Sequence, residues 1–225
     1  MSSISIFFTL FFYFSVLIFI TGLSYKIVQY WNTPAPLKIP IAPAPLTKSG
    51  VFLRLAKEVF LFATLFKSSK WTWLFGWSFH LALVLLFFRH LVYFWPGEIP
   101  LILLKTEPLK YAAYPLIFGL LGLLGRRIFV DRVRYISAPS DYLMLLLIFL
   151  IGASGMVMTF ANNHPNMLLV KNFAEGLITF NWSELPSEVI FLAHIAPVFF
   201  LIAIFPISKL LHGPGIFFSP TLNQV

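Results

Sequence analysis

The stretch WTWLFGWSFHLALVLLFFRHLVYFW, Trp71–Trp95, decides the fold. Its apolar run exceeds the roughly 20 residues that an α-helix needs to cross a hydrocarbon core. Yet it carries His80, Arg89 and His90. Ionisable side chains at membrane depth are costly, and each marks a functional position by default. A second stretch of the same kind, SEVIFLAHIAPVFFLIAIFPISKLLHGPG (Ser187–Gly215), carries His194 and His212.

The rest of the chain agrees with a membrane setting. Of its 225 residues 59% are hydrophobic, 18% aromatic and only 11% charged, with a mean hydropathy of +0.88. That composition excludes an ordinary soluble globular domain. A net charge of +8 in this setting reflects basic cytoplasmic loops rather than nucleic-acid binding. There is no cysteine, so no thiolate-held iron–sulfur cluster, redox disulfide or Cys-ligated zinc belongs to this chain. Any such centre sits on a partner.

Working outward from Trp71–Trp95, the sequence predicts an all-α integral membrane protein. It forms one membrane domain over 1–225, with spans at about 4–28, 71–95, 109–130, 141–161 and 187–212. The first apolar run is too long for a signal-peptide core and lacks a basic start, so it is expected to be a retained span. TPAPLKIPIAPAP (Thr33–Pro45) is too proline-rich for helix and reads as an extended strap. Residues 48–68 read as an amphipathic surface helix, with Arg54, Lys57 and Glu58 among Leu and Phe. Pro115 is expected to break the third span, while Gly119, Gly122 and Gly125 permit close helix approach. GASG lies at Gly152–Gly155 in the fourth span, and a short amphipathic piece is expected around Leu168–Ile178.

Charge fixes the orientation. With the N-terminus outside, the inside segments hold Lys26, Lys38, Lys48, Arg54, Lys57, Lys67, Lys70, Arg126, Arg127, Arg132, Arg134 and Lys209. The outside loops hold only Lys105, Lys110 and Lys171. The expectation is therefore N-out and C-in.

This topology matches the histidines in depth: His90 with His194 towards the outside, His80 with His212 towards the inside. Two histidines on each of two spans form an axial ligand set for two haems, the iron of each held by two imidazoles. In ideal helices His194 and His212 share one face, roughly 27 Å apart, whereas His80 and His90 differ by about 80° and roughly 15 Å. Tilt, a kink at Pro197 or Pro206, or a frayed end at His212 has to absorb the difference. Two other readings stay open: a haem-free histidine relay in a proton transporter, and a membrane anchor whose histidines are structural.

At these residues the chain resembles a known family. Spacings of ten between His80 and His90 and of eighteen between His194 and His212 resemble the γ-subunit family of respiratory nitrate reductase. VRYISAPSDY (Val133–Tyr142) and FPISKLLHGPGIFFSPTLN (Phe205–Asn223) more closely resemble the membrane cytochrome b subunit (Dsr M) of the complex linked to dissimilatory sulfite reductase. FHLALVLLFFRHLVYF (Phe79–Phe94) and TPAPLKIP (Thr33–Pro40) fit as well, and the likeness covers nearly the whole chain.

The resemblance implies five spans, two haems b and electron exchange with a menaquinone or other quinone pool. It implies a cytoplasmic iron–sulfur partner resembling the catalytic subunit of heterodisulfide reductase, in sulfur respiration or oxidation. Further membrane and periplasmic cytochrome subunits, or another respiratory reductase using a γ-type cytochrome b, stay open. The setting is the cytoplasmic membrane of a prokaryote. Lys110, twenty residues after His90, stands where the family has a quinone-contacting lysine; the alternative is an interfacial snorkelling lysine. The family's glycine before the outer histidine is Arg89 here, a candidate partner for a haem propionate.

The remaining polar residues have plainer expectations. His164 reads as an exposed loop histidine, Asp141 as a helix cap, and Glu98 and Glu107 as solvated carboxylates. Arg126, Arg127, Arg132 and Arg134 follow the positive-inside pattern, with one of them a possible propionate partner for the inner haem.

Overall fold

The computed structural model describes residues 1–95, 107–161 and 164–225. Glu98, Lys105 and the Asn162–Asn163 pair lie outside the described residues. Regular structure among the described residues is helical. Five stretches are long and apolar enough to cross a membrane: Ser3–Asn32, Lys70–Phe94, Glu107–Phe129, Pro139–Phe160 and Val189–Ile207. The expected all-α, five-span class holds.

In chain order, α1 (Ser3–Asn32) runs four residues past its expected end, stopping where Thr33 precedes Pro34 and leaves the helical region. The strap that follows has no regular structure. The expected single amphipathic helix is two pieces, α2 (Lys48–Leu61) and α3 (Ala63–Ser68). Phe62 separates them in a left-handed conformation, φ 51°. Thr47 caps α2 by accepting from the Gly50 N–H. α4 (Lys70–Phe94) is the organising span.

A 3₁₀ turn at Glu107–Ala112 leads into α5 (Ala113–Phe129). Pro115 does not break this span. It sits in the first turn of α5, where its missing N–H has no intrahelical acceptor to lose. After the short α6 (Asp131–Tyr135) comes α7 (Pro139–Phe160), with proline at its first position. The Asp141 carboxylate reaches back to accept from the Ala138 N–H at 3.0 Å and pairs with Arg127 at 3.4 Å. It therefore caps α7 from inside the first turn. α8 (Met167–Thr179), capped by Asn166, is the expected amphipathic piece and buries Val170, Phe173 and Leu177.

α9 (Val189–Ile204) accommodates Pro197 but ends well short of the expected residue 212. Pro206 cannot donate to the carbonyl four residues back, and a 3₁₀ turn at Phe205–Ile207 replaces the helix. His212 thus opens a separate short turn, His212–Gly215. The ideal-helix distance between His194 and His212 does not apply.

The chain divides into two compact units. The first holds Met1–Ser15 and Leu74–Leu201. Within it, α4 and α5 meet at glycines: a Cβ on Gly119 would lie 2.6 Å from the Phe75 carbonyl oxygen and 2.8 Å from the Phe79 Cβ. Gly152 of α7 likewise admits Leu116 of α5. Phe199 of α9 packs on Phe8, Phe11 and Phe12 of α1. Glu184 accepts from the Ser2 N–H at 3.0 Å and from the Ser5 hydroxyl at 3.0 Å, anchoring the start of α1.

The second unit holds Val16–Trp73 and Ile202–Val225. Gly22 admits Pro206, and Phe19 meets Phe205. The strap is pinned by residues near the chain's end. The Ile41 N–H donates to the Thr221 carbonyl at 3.0 Å, the Ile39 N–H to Gln224 Oε1 at 2.9 Å, and Gln224 Nε2 to the Leu37 carbonyl at 3.1 Å. Arg54 of α2 donates to the Ile41 and Pro43 carbonyls. The Trp73 indole N–H donates to the Leu61 carbonyl at 2.7 Å.

Candidate functional site

The four histidines share one local arrangement. His80 Nδ1 lies 2.7 Å from the Gly76 carbonyl and His90 Nδ1 lies 2.6 Å from the Leu86 carbonyl, each one turn back on α4. His212 Nδ1 lies 2.8 Å from the Lys209 carbonyl. His194 Nδ1 reaches instead to another helix, 3.0 Å from the Ile151 carbonyl of α7. A carbonyl only accepts, so Nδ1 carries the proton in each ring and Nε2 carries the lone pair. This is the arrangement in which a protein sets the tautomer and orientation of a metal-binding imidazole.

His90 and His194 stand together in the first unit, their ring centroids 6.3 Å apart and their planes 12° from parallel. Two imidazoles on opposite sides of one metal, with bonds of about 2.0–2.1 Å and ring centres about 1.1 Å behind each nitrogen, have centroids about 6.3 Å apart. The spacing therefore fits one metal atom held by both rings, as in a bis-histidine haem. The expected outer pair is brought together. Tyr93 packs beside His90, ring centroids 6.1 Å apart, with its hydroxyl 3.6 Å from Met167 Sδ of α8.

His80 belongs to the first unit and His212 to the second. His80 is half-buried and packs edge-on against Phe79. His212 is exposed at the rim of a cavity of about 620 Å³, whose lining includes Tyr30, Thr33, Ser208 and Lys209.

Arg89, the residue before His90, extends to Glu107, with Nη2 3.5 Å from Oε2. Its Nε is buried and has no hydrogen-bond partner among the described residues. A buried guanidinium nitrogen without a partner suits a carboxylate supplied by a bound group. Lys110 joins the same carboxylate, Nζ to Glu107 Oε1 at 2.6 Å. Glu107 is thus tethered between two cations rather than simply solvated.

His164 lies in an exposed, non-helical position, as expected. Arg127 serves Asp141 and the Ser137 hydroxyl, and Arg134 pairs with Asp131 at 2.6 Å. Two participants were not anticipated from sequence. Ser154 and Gly155 were visible only as part of the small-residue GASG run, yet both touch His194. No local signal in the chain marks a contact between residues forty positions apart.

Residues 50–222 match the nitrate reductase gamma subunit family. A protein of Archaeoglobus fulgidus described as an Hdr-like menaquinol oxidoreductase cytochrome b-like subunit is 33% identical over 257 residues, spanning 94% of this chain and 77% of the relative. A protein of the same description from Archaeoglobus profundus is 31% identical over 257 residues, spanning 92% of this chain and 75% of the relative. With five helices able to span a membrane and a family match over most of its length, the chain belongs to the nitrate reductase gamma subunit family of membrane cytochromes b.

Proposed function

We propose that residues 1–225 act as one N-out, C-in membrane domain that holds two haems b. In this reading the chain exchanges electrons between the menaquinone pool and a cytoplasmic iron–sulfur subunit. The observation that carries it is the His90–His194 pair, with its 6.3 Å centroid spacing and near-parallel rings. The description of both Archaeoglobus relatives as menaquinol oxidoreductase subunits supports quinol as the membrane-side reactant. The same description, Hdr-like, supports a heterodisulfide-reductase-like iron–sulfur partner. The absence of cysteine from this chain agrees with clusters held elsewhere. The likeness to the Dsr-linked cytochrome supports a place in sulfur respiration or oxidation, in a prokaryotic cytoplasmic membrane.

Each haem, when bound, supplies a one-electron iron couple whose potential follows its axial ligands and burial. His90 and His194 hold the outer one through Nε2, with Nδ1 donating to Leu86 and Ile151. His80 and His212 are the proposed ligands of the inner one, each with its Nδ1 on a backbone carbonyl. Arg89 offers its buried Nε to a propionate. Lys110 offers a cation to a quinone oxygen, and Glu107 fixes its position. A proton relay through the histidines is less well supported, because every Nδ1 is committed to a backbone carbonyl.

The test is a dithionite-reduced minus oxidised spectrum with a pyridine haemochrome count on the full chain purified in detergent. Two haems b per chain are expected. A haem-free chain from a haem-replete host rejects the reading and favours the histidine relay.

A further inference from the structure

We infer that Ser154 and Gly155 of α7 are positioning residues for His194, the hydroxyl setting its hydrogen bond and the glycine setting its ring plane. This rests on the proposed ligation of haem by His194.

The bracing of His194 points there. His80, His90 and His212 each donate to a carbonyl within four residues of themselves in sequence. His194 is braced by a different helix, with two acceptors at equal range: the Ile151 carbonyl at 3.0 Å and Ser154 Oγ at 3.0 Å. Ser154 is buried, and its hydroxyl proton goes to the Leu150 carbonyl at 2.7 Å. Its oxygen therefore meets His194 as an acceptor, and the Nδ1–H is shared between two oxygens. A second acceptor on Nδ1–H makes the imidazole a stronger electron donor to the metal. That favours the ferric state and lowers the potential of this centre relative to one with a single acceptor.

Gly155 acts on orientation. A Cβ at this position would lie 3.2 Å from His194 Cε1 and 3.6 Å from its Nδ1. The bare Cα leaves room for the ring in the plane that makes it nearly parallel to His90. A methyl group forces the ring to turn, because the rigid α7 backbone gives less readily than a side-chain torsion. In low-spin ferric haem with two imidazoles, parallel ring planes give a rhombic electron paramagnetic resonance signal. Twisting the planes apart raises the largest g value.

The experiment compares the unmodified full-length chain with Ser154→Ala, Ser154→Cys, Ser154→Thr and Gly155→Ala in detergent. Redox titration and electron paramagnetic resonance are the readouts. Ser154→Ala is expected to raise one of two midpoint potentials and leave the other in place. Ser154→Cys, with a weaker acceptor, is expected to fall between Ala and Ser, while Ser154→Thr restores the original value. Gly155→Ala is expected to raise the largest g value of one haem only. Haem-loaded variants with unmoved potentials and g values overturn the inference. If Ser154→Ala fails to assemble, equal potentials in the Ser and Cys forms overturn it as well. Absence of haem from the unmodified chain overturns the ligation reading itself, a separate result.

Discussion

The imidazole of His90 on α4 and that of His194 on α9 face one another with centroids 6.3 Å apart and planes 12° from parallel. At that spacing the two half-buried rings are too far apart for face-to-face contact, and the distance fits the proposed sharing of one metal. Replacing either residue should have the same effect. His90→Ala and His194→Ala are each expected to remove one haem per chain and the same low-spin signal, whereas His80→Ala and His212→Ala remove the other. Haem counts with paramagnetic resonance check this. Different signals lost on replacing His90 and His194 reject the pairing.

At the start of the third span, Lys110 and Arg89 share Glu107. A hydrogen bond from a charged donor contributes about 1.5–3 kcal/mol, so Lys110→Ala is expected to raise the KM for a menaquinol analogue about tenfold or more. An exposed ion pair contributes about 0.2–1 kcal/mol, so Glu107→Gln should raise it at most about fivefold. Neither change should alter the haem spectrum. Steady-state quinol oxidation with an artificial acceptor reads both values, and a larger effect from Glu107 than from Lys110 reverses the assignment.

Gly119 is where α5 meets the backbone of α4. A Cβ there would stand 2.6 Å from the Phe75 backbone oxygen, so a methyl group must displace helix backbone rather than a flexible side chain. Overpacking of this kind costs about 1–3 kcal/mol. Gly119→Ala is expected to lower the thermal midpoint in detergent, and because Phe79 precedes His80, to reduce retention of the inner haem first. Gly125→Ala on the same helix, where a Cβ meets only Phe129 Cδ2 at 3.9 Å, is the matched control.

Glu184 sits outside the spans, about half exposed, where hydrogen bonds from Ser2 hold its carboxyl below its ordinary value. A lowered carboxyl contributes stability above the ordinary carboxylate range, near pH 4.3, and that contribution is lost as pH falls through the lowered value. Thermal unfolding followed from pH 7 to pH 3 is therefore expected to show an acid-side loss that Glu184→Gln shallows. Parallel acid limbs in the two proteins contradict this role.

Much of this is legible in the sequence. His80, His90, His194 and His212 stand out because charge and polarity are rare in apolar runs, and the five spans follow from run length alone. What stayed hidden depends on contacts that no local pattern encodes. Phe62 adopts φ 51° although an aromatic side chain gives no sign of a left-handed break. Pro206 signalled a kink but not a full stop, because a proline's effect depends on whether packing re-forms the helix beyond it. Glu107 read as a loop carboxylate, since its partner Arg89 lies on the preceding span. Ser154 read as a small residue for helix packing, its bond to His194 being a matter of tertiary register.

The strap at residues 33–45 takes its shape from Thr221 and Gln224, which a ribosome adds some 180 residues later. Until then the Ile39 and Ile41 amides have no acceptor from the tail, and this part of the surface is unfinished. A subunit that recognises the strap in its pinned form therefore discriminates against incomplete chains. A change at Thr221 or Gln224 therefore reaches the strap and, through the Ile41 carbonyl, Arg54 of α2.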